Sequence, residues 1–381
     1  MPRYNHKIAS LEYLRDFLAM IVVAAHSWQI FSVPFVVDNK TSFLGLAARL
    51  AVIWFFCLSG YLISLNIHNH IRQNTFFKPS QFLLSRAFRI LPPLICVFIL
   101  TMILSFILQA LGWEVAPGEH RLLQKEFSLD IDKIYPNIIS LFTQGDLTGG
   151  LIVPLWSLTY ELQLYVLAAL LVFCLRSIQP PIIRTLGLLL LSLYVYALEL
   201  FDFSPILNIQ KISFGCFLLG VSGFFIQNKL SEKSIGLLAA ASLGVMLLLF
   251  NINSEEDVLS MLDSSLALVV FQLVASLLFM AVTVLLVRVP RLKSLKPYVG
   301  YSYTVYIFHF PFLLFCYNLL SHLSLPFIKD NALGLVVIMC FLTVYISKKL
   351  GSYLENAKIQ ENYCKNFISG IYRQKVMDYS Y

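Results

Sequence analysis

Charge is what this chain has least of. Only 13% of its 381 residues are Asp, Glu, Lys or Arg, and 58% are hydrophobic, whereas soluble domains carry about 25% charged residues. That shortage excludes a soluble globular enzyme. The net charge of +7 reflects where lysines and arginines lie relative to a membrane, and no nucleic-acid partner is expected. Cysteines at metal or redox spacing are missing as well. Cys57, Cys96, Cys174, Cys216, Cys316, Cys340 and Cys364 form no CxxC, and all but Cys364 fall in apolar stretches. They read as small buried hydrophobes, and no metal site is expected. No small-residue cleavage pattern closes the first apolar run, so no cleavable signal peptide is expected. There is no internal repeat, no low-complexity tract and no Gly/Pro-broken helix pair in matching halves, which speaks against a repeat-built transporter.

Apolar runs of spanning length are abundant instead. Ten segments qualify, at 8–31, 44–67, 88–112, 152–175, 182–200, 206–227, 234–251, 261–287, 298–320 and 332–350. The expected fold is therefore all-α, a polytopic integral membrane protein of about ten transmembrane helices. Its 31 Phe and 19 Tyr suit lipid contact and interfacial belts. Basic residues gather in alternate connections: Arg72, Lys78, Arg86, Arg89, Arg176, Arg184, Lys229, Lys233, Arg288, Arg291, Lys293 and Lys296 on one side. The other side holds Lys40, Arg121, Lys125, Lys133 and Lys329. The positive-inside rule then puts both termini in the cytoplasm. One long connection, 113–151, faces outward, as a lid, an acceptor-binding element or a plain connector. The organisation expected is a transmembrane domain over 1–351 and a short basic cytoplasmic tail over 352–381.

Against this apolar background a few polar residues stand out. Arg15 and His26 lie eleven residues apart in the first span, about three helical turns, so they share a face and are separated by ~16 Å along the axis. Ionisable groups inside a span are costly and functional by default. His26 sits toward the outer end, where a neutral imidazole suits a general base acting on a hydroxyl. Arg15, beside Glu12 and Asp16, either serves a ligand or snorkels to the inner interface paired with Glu12. Arg86 and Arg89, three apart before Pro92-Pro93, suit bidentate capture of phosphate, or simple positive-inside anchoring. Trp156-Ser157-Leu158-Thr159-Tyr160-Glu161 opens the fourth span, and a carboxylate at that depth is neutral or paired. Arg49 is a candidate partner at similar depth, so that His26, Arg49 and Glu161 are expected in one outer-half cavity. Tyr303, Tyr306 and His309 form a one-turn-spaced polar stripe in the ninth span, where Pro311 loosens the ladder and a kink is expected near His309. Lys211, in the sixth span, either contacts an acceptor or is paired structurally.

Taken in order, these fragments resemble membrane-bound acyltransferase family 3, the O-antigen and exopolysaccharide acetylases. Arg15 through His26 looks like the family's Arg-x10-His signature. Phe55-Phe56-Cys57-Leu58-Ser59-Gly60-Tyr61-Leu62-Ile63 is similar to its FFxLSGFLI stretch, Arg86 and Arg89 to its RxxR element, and Trp156, Ser157, Leu158, Glu161 and Tyr165 to its WSLxxExxxY element. Tyr303, Tyr306, His309 and Pro311 resemble its SYxxYxxHxP run, and Gly351-Ser352-Tyr353-Leu354-Glu355 a decayed SYxxIEKPF ending. The resemblance covers nearly the whole chain. It implies transfer of an acyl group, usually acetyl from acetyl-CoA, to a hydroxyl of a cell-envelope glycan or lipid-linked sugar at the bacterial inner membrane. The partners it implies are membrane lipid and proteins of polysaccharide assembly. It further implies that Arg86 and Arg89 hold coenzyme A phosphates, that Arg15 guides the donor's arm, and that His26 deprotonates the acceptor or carries the acyl group. Glu161 and Tyr306 would orient partners or stabilise the oxyanion. Two departures stand out: Glu12 and Asp16 make this segment more acidic than in the family, and Ile53-Trp54 fill the place of an acidic residue before Phe55-Phe56. Many members continue into an SGNH-type esterase domain, for which this sequence leaves no room, so transfer is expected to finish in the membrane domain or on a partner protein. The remaining alternatives are acylation of a small or secreted glycoside and, in a different class, a transporter or flippase of glycan intermediates.

Overall fold

The computed structural model describes residues 2–35, 41–73, 78–113, 155–176, 209–252, 266–288 and 300–355. Among them are nine α-helices and no strand: α1 (Pro2–Phe31), α2 (Thr41–Gln73), α3 (Pro79–Leu111), α4 (Leu155–Arg176), α5 (Ile209–Ile226), α6 (Glu232–Ile252), α7 (Leu266–Arg288), α8 (Ser302–Asp330) and α9 (Ala332–Leu354). Seven described helices contain stretches long and apolar enough to cross a membrane. The chain is thus an all-α, multi-pass membrane protein. Nine of the ten expected spans coincide with helices, while 182–200 lies outside the described residues, as do the connection over 114–151 and the tail from 356.

Helix ends differ from hydropathy-based boundaries where polar residues continue a helix. The α3 helix begins at Pro79, not at 88, with Pro79 in its first turn, where proline's missing N–H is harmless. Arg86 and Arg89 therefore lie well inside α3. Pro92 and Pro93 sit within the same helix, where neither supplies an N–H to the helical ladder. Gly112, at φ +69°, ends α3, and its N–H and that of Trp113 satisfy the carbonyls of Gln109 and Leu108. In α8 the backbone leaves helical angles at Ser324, two residues before Pro326, rather than around His309.

Side-chain pairs give the helices their relative directions. Asp16 meets Gly300, His26 meets His309 and Phe31 meets Tyr317, so α1 and α8 run parallel. Phe55 and Ser157 both meet Tyr306, and Ser59 meets Glu161, so α2 and α4 lie side by side in one direction. The α9 helix returns the other way, with Cys340 meeting Ser27 far along α1 and Gly351 against Tyr301 at the start of α8. Large side chains left outside this packing are apolar, Ile95, Ile99 and Phe106 on α3 and Leu333, Val337 and Phe341 on α9 among them, as lipid-facing surfaces require.

The tightest crossing joins α2 to α5. A β-carbon on Gly60 would strike the carbonyl of Phe217, and one on Gly220 the carbonyl of Cys57. Both obstacles are backbone, which cannot rotate away, and small residues permit this approach in membrane bundles. Gly220→Val is expected to lower the melting temperature of the detergent-solubilised protein, at an overpacking cost of about 1–3 kcal/mol. Gly244→Ala, with nothing within 4 Å of its new β-carbon, is expected to leave it unchanged. A thermal scan of both variants makes the check.

Candidate active site

One cavity gathers residues from α1, α2, α3, α4 and α8. Arg15, Arg86 and Arg89 line it, with Ser59, Ser157, Glu161, Tyr165, Ser302, Tyr303 and Tyr306 as its other polar groups and Phe55, Phe56 and Leu158 among the apolar ones. The three guanidiniums come from two helices. Arg86 and Arg89, three apart on α3, project the same way, and Arg15 approaches from α1. Arg89 feels the charges of both Arg15 and Arg86. The Arg86 guanidinium lies 5.5 Å from the Phe82 ring centre and 5.8 Å from that of Tyr165, and its buried Nε has no hydrogen-bond partner. Three like charges in one partly dehydrated cavity repel each other, and a polyanionic ligand relieves that repulsion.

Carboxylates frame the arginines. Glu12 interacts electrostatically with Arg89 and Arg15. Asp16 Oδ2 accepts the Gly300 N–H at 2.9 Å, where Gly300 holds a left-handed φ of +73° just ahead of α8. Glu355 Oε1 accepts the Thr304 N–H at 2.7 Å and the Thr304 hydroxyl at 2.5 Å. It thereby supplies α8 with the cap that its N-cap residue Tyr301 does not. Burial pushes the Glu355 carboxyl above the usual carboxylate range, against the pull of the Thr304 bonds and of Arg89 and Arg15. Glu355 and Asp16 thus fix the start of the helix that carries Tyr303, Tyr306 and His309. The sequence marked Asp16 only as a departure and Glu355 only as the end of a decayed motif. Their capping role depends on α9 returning to the start of α8, which no local pattern encodes.

Glu161 is held by α2 and by its own helix. Ser59 Oγ donates to Glu161 Oε1 at 3.3 Å, and Tyr165 OH, one turn on, donates to the same oxygen at 2.5 Å. This corrects the expected outer cavity of His26, Arg49 and Glu161. Glu161 joins the arginine cavity, and neither His26 nor Arg49 lines it. Depth along separate spans says nothing of which helices touch, and α4 turns Glu161 toward Ser59. Arg49 keeps a buried Nε without a partner. The side chains of Trp156 and Lys211 lie outside those described.

Tyr306 lines the cavity from α8. Its hydroxyl is 2.6 Å from Ser157 Oγ, and its ring packs edge-on to Phe55 at 5.6 Å. Tyr303 OH donates to the Ile90 carbonyl at 3.3 Å, tying α8 to α3 one residue past Arg89. The His309 ring lies 5.9 Å from that of Tyr306 by ring centres, and the His26 ring 5.2 Å from that of His309. Tyr303, Tyr306 and His309 all lie on α8, with Tyr303 and Tyr306 lining the cavity and His309 packed against His26. Among the described residues no cluster of three or more His, Cys, Asp or Glu could hold a metal ion.

No curated protein and no solved structure gives a significant match to this chain. A family model described as "Acyltransferase domain" matches residues 8–347, a stretch that takes in every cavity-lining residue from Arg15 to Tyr306 and both histidines. A match of that extent, over helices that form one membrane bundle around an arginine-lined cavity, shows that the chain belongs to acyltransferase family 3.

Proposed function

We propose that this protein moves an acetyl group from cytoplasmic acetyl-CoA to a hydroxyl of a cell-envelope glycan, such as O-antigen or exopolysaccharide, at the bacterial inner membrane. The observation that carries this reading is one connected set of residues. Arg15, Arg86 and Arg89 line a cavity together with Tyr306, and a chain of ring contacts links Tyr306 to His309 and His309 to His26. With both termini cytoplasmic, the arginines face the compartment that holds acyl-CoA.

Each part has a chemical task. Arg86 and Arg89 bind the coenzyme's phosphates through paired guanidinium donors, and Arg15 steers its pantetheine arm inward. The apolar wall of Phe55, Phe56 and Leu158 accommodates that arm and keeps water from the thioester. The thioester carbonyl then reaches the neighbourhood of Tyr306 and Ser157, whose hydroxyls can donate to the developing oxyanion once their mutual bond opens. His26 removes the acceptor's hydroxyl proton. The acceptor oxygen bonds to the acyl carbon, the carbon–sulfur bond breaks, and the proton passes to the leaving thiolate. Glu161, restrained by Ser59 and Tyr165, positions the cavity's hydroxyl groups.

The test is reconstitution. In liposomes of defined orientation containing a lipid-linked oligosaccharide, acetyl-labelled acetyl-CoA is expected to label the oligosaccharide only when supplied on the side of the N-terminus. Labelling from the opposite face, or movement of the oligosaccharide without any donor, would overturn the reading. The second of those outcomes would mark a transporter.

A further inference from the structure

Two imidazoles that do not line the cavity are packed against each other in the interface of α1 and α8. The ring centres of His26 and His309 are 5.2 Å apart with planes inclined at 32°. Phe310 stands edge-on to His26 at 5.2 Å, and His309 is fully buried. The hydrogen bonds of His309 define its tautomer. Its Nδ1 lies 3.3 Å from the carbonyl of Val305, one turn earlier. A carbonyl only accepts, so Nδ1 carries the hydrogen and Nε2 the lone pair. That Nε2 is buried without a partner, and so is Nδ1 of His26, whose ring is otherwise bonded to Gln29. A buried polar atom left unpaired costs about 1–3 kcal/mol. An α8 position flanked by Phe308 and Phe310 would bury a leucine more cheaply. Two neighbouring imidazoles, each with an unpaired nitrogen and one of them in ring contact with the cavity-lining Tyr306, are what a reacting hydroxyl would need.

We propose that His309 is a second catalytic residue, whose Nε2 shares with His26 the proton taken from the acceptor hydroxyl. This rests on the preceding reading of His26 as the base. The acceptor's O–H bond breaks as an N–H bond forms on one imidazole. The new C–O bond forms at the acyl carbon as its C–S bond breaks, and the N–H proton then goes to the sulfur, returning both rings to neutrality. Two imidazolium ions so close in a buried site repel strongly, so the pair holds one proton at a time. The lone pair of the second ring stabilises the charge that the first acquires.

His309→Asn separates this role from packing. Its amide nitrogen can keep the bond to the carbonyl one turn back, as Asn318 does in the same helix, with Nδ2 3.0 Å from the Leu314 carbonyl, but it has nothing at the Nε2 position. In the reconstituted transfer assay His309→Asn is expected to lower kcat by about 10²-fold or more, with the KM for acetyl-CoA and the melting temperature unchanged. His26→Ala/His309→Asn is expected to be no slower than the worse single variant, because residues acting as one unit are not additive. Activity of His309→Asn within twofold of the parent while His26→Ala is inactive would overturn this inference and leave the reading of His26 standing. Losses that multiply in the double variant would overturn it too. Full activity of His26→Ala would instead overturn the parent reading and this one with it. If His309→Asn melts lower, His309→Gln, which reaches the Nε2 position with an amide, repeats the test. The inference then requires an equal loss of kcat in a stable variant.

Discussion

His26→Ala is expected to lower acetyl transfer by about 10²–10⁴-fold, the usual contribution of a positioned general base, without altering the KM for acetyl-CoA. The split between constants follows from position. His26 does not line the arginine cavity, where the donor's charges would be bound, and its ring packs on His309 and Phe310 instead. Its removal therefore takes away chemistry and leaves donor binding. The imidazole's neighbours include the rings of His309 and Phe310 and the Gln29 side chain, so truncation leaves a void whose packing cost a melting scan registers separately. Measured acetyl content of the glycan at matched expression gives the in vivo counterpart. An unchanged acetyl content would remove His26 from the mechanism. A raised donor KM with unchanged kcat would convert it into a binding residue.

Much of this site is legible in the order of polar residues along the chain. Arg15 and His26 share one stripe of α1 because eleven residues span three turns, and Tyr303, Tyr306 and His309 share one stripe of α8 for the same local reason. Both stripes are visible in one dimension. Their juxtaposition is not. That α1 and α8 run parallel, so that His26 falls opposite His309 and Asp16 opposite Gly300, is a property of the bundle. The same holds for Glu161, whose depth in its span suggests Arg49 and whose helix presents it to Ser59. Helix existence follows from apolar runs alone. The ends do not, because α3 carries Arg86 on a helical turn ahead of the apolar run that starts at 88, and proline at its first turn rather than charge decides where it begins. Glu355 shows the limit most plainly. Nothing within its own segment indicates that it caps a helix through Thr304, 51 residues earlier in the chain.

Arg89→Gln is expected to raise the KM for acetyl-CoA by about 10–100-fold, from the loss of charge-assisted hydrogen bonds worth roughly 1.5–3 kcal/mol, with a smaller change in kcat. Of the three arginines, Arg89 sits centrally, within the field of Arg15, Arg86 and Glu355 at once. Replacing it has two separable consequences. The cavity loses a cation that a phosphate would engage, and Glu355 loses one of the guanidiniums that compensate its burial. The second consequence is structural. It weakens the cap on α8 and is expected to lower the melting temperature. Arg89→Gln/Glu355→Gln removes the uncompensated carboxylate together with the cation. The amide can still accept from Thr304, so thermal stability is expected to recover toward the parent while the raised donor KM persists. Arg89→Lys divides the binding effect further. It restores charge but not the planar fork, and an intermediate KM is expected if two-point phosphate contact matters. A donor KM that recovers with stability in the double variant would show that Arg89 acts only by holding α8 in place, and the phosphate site would then have to be sought in Arg15 and Arg86 alone.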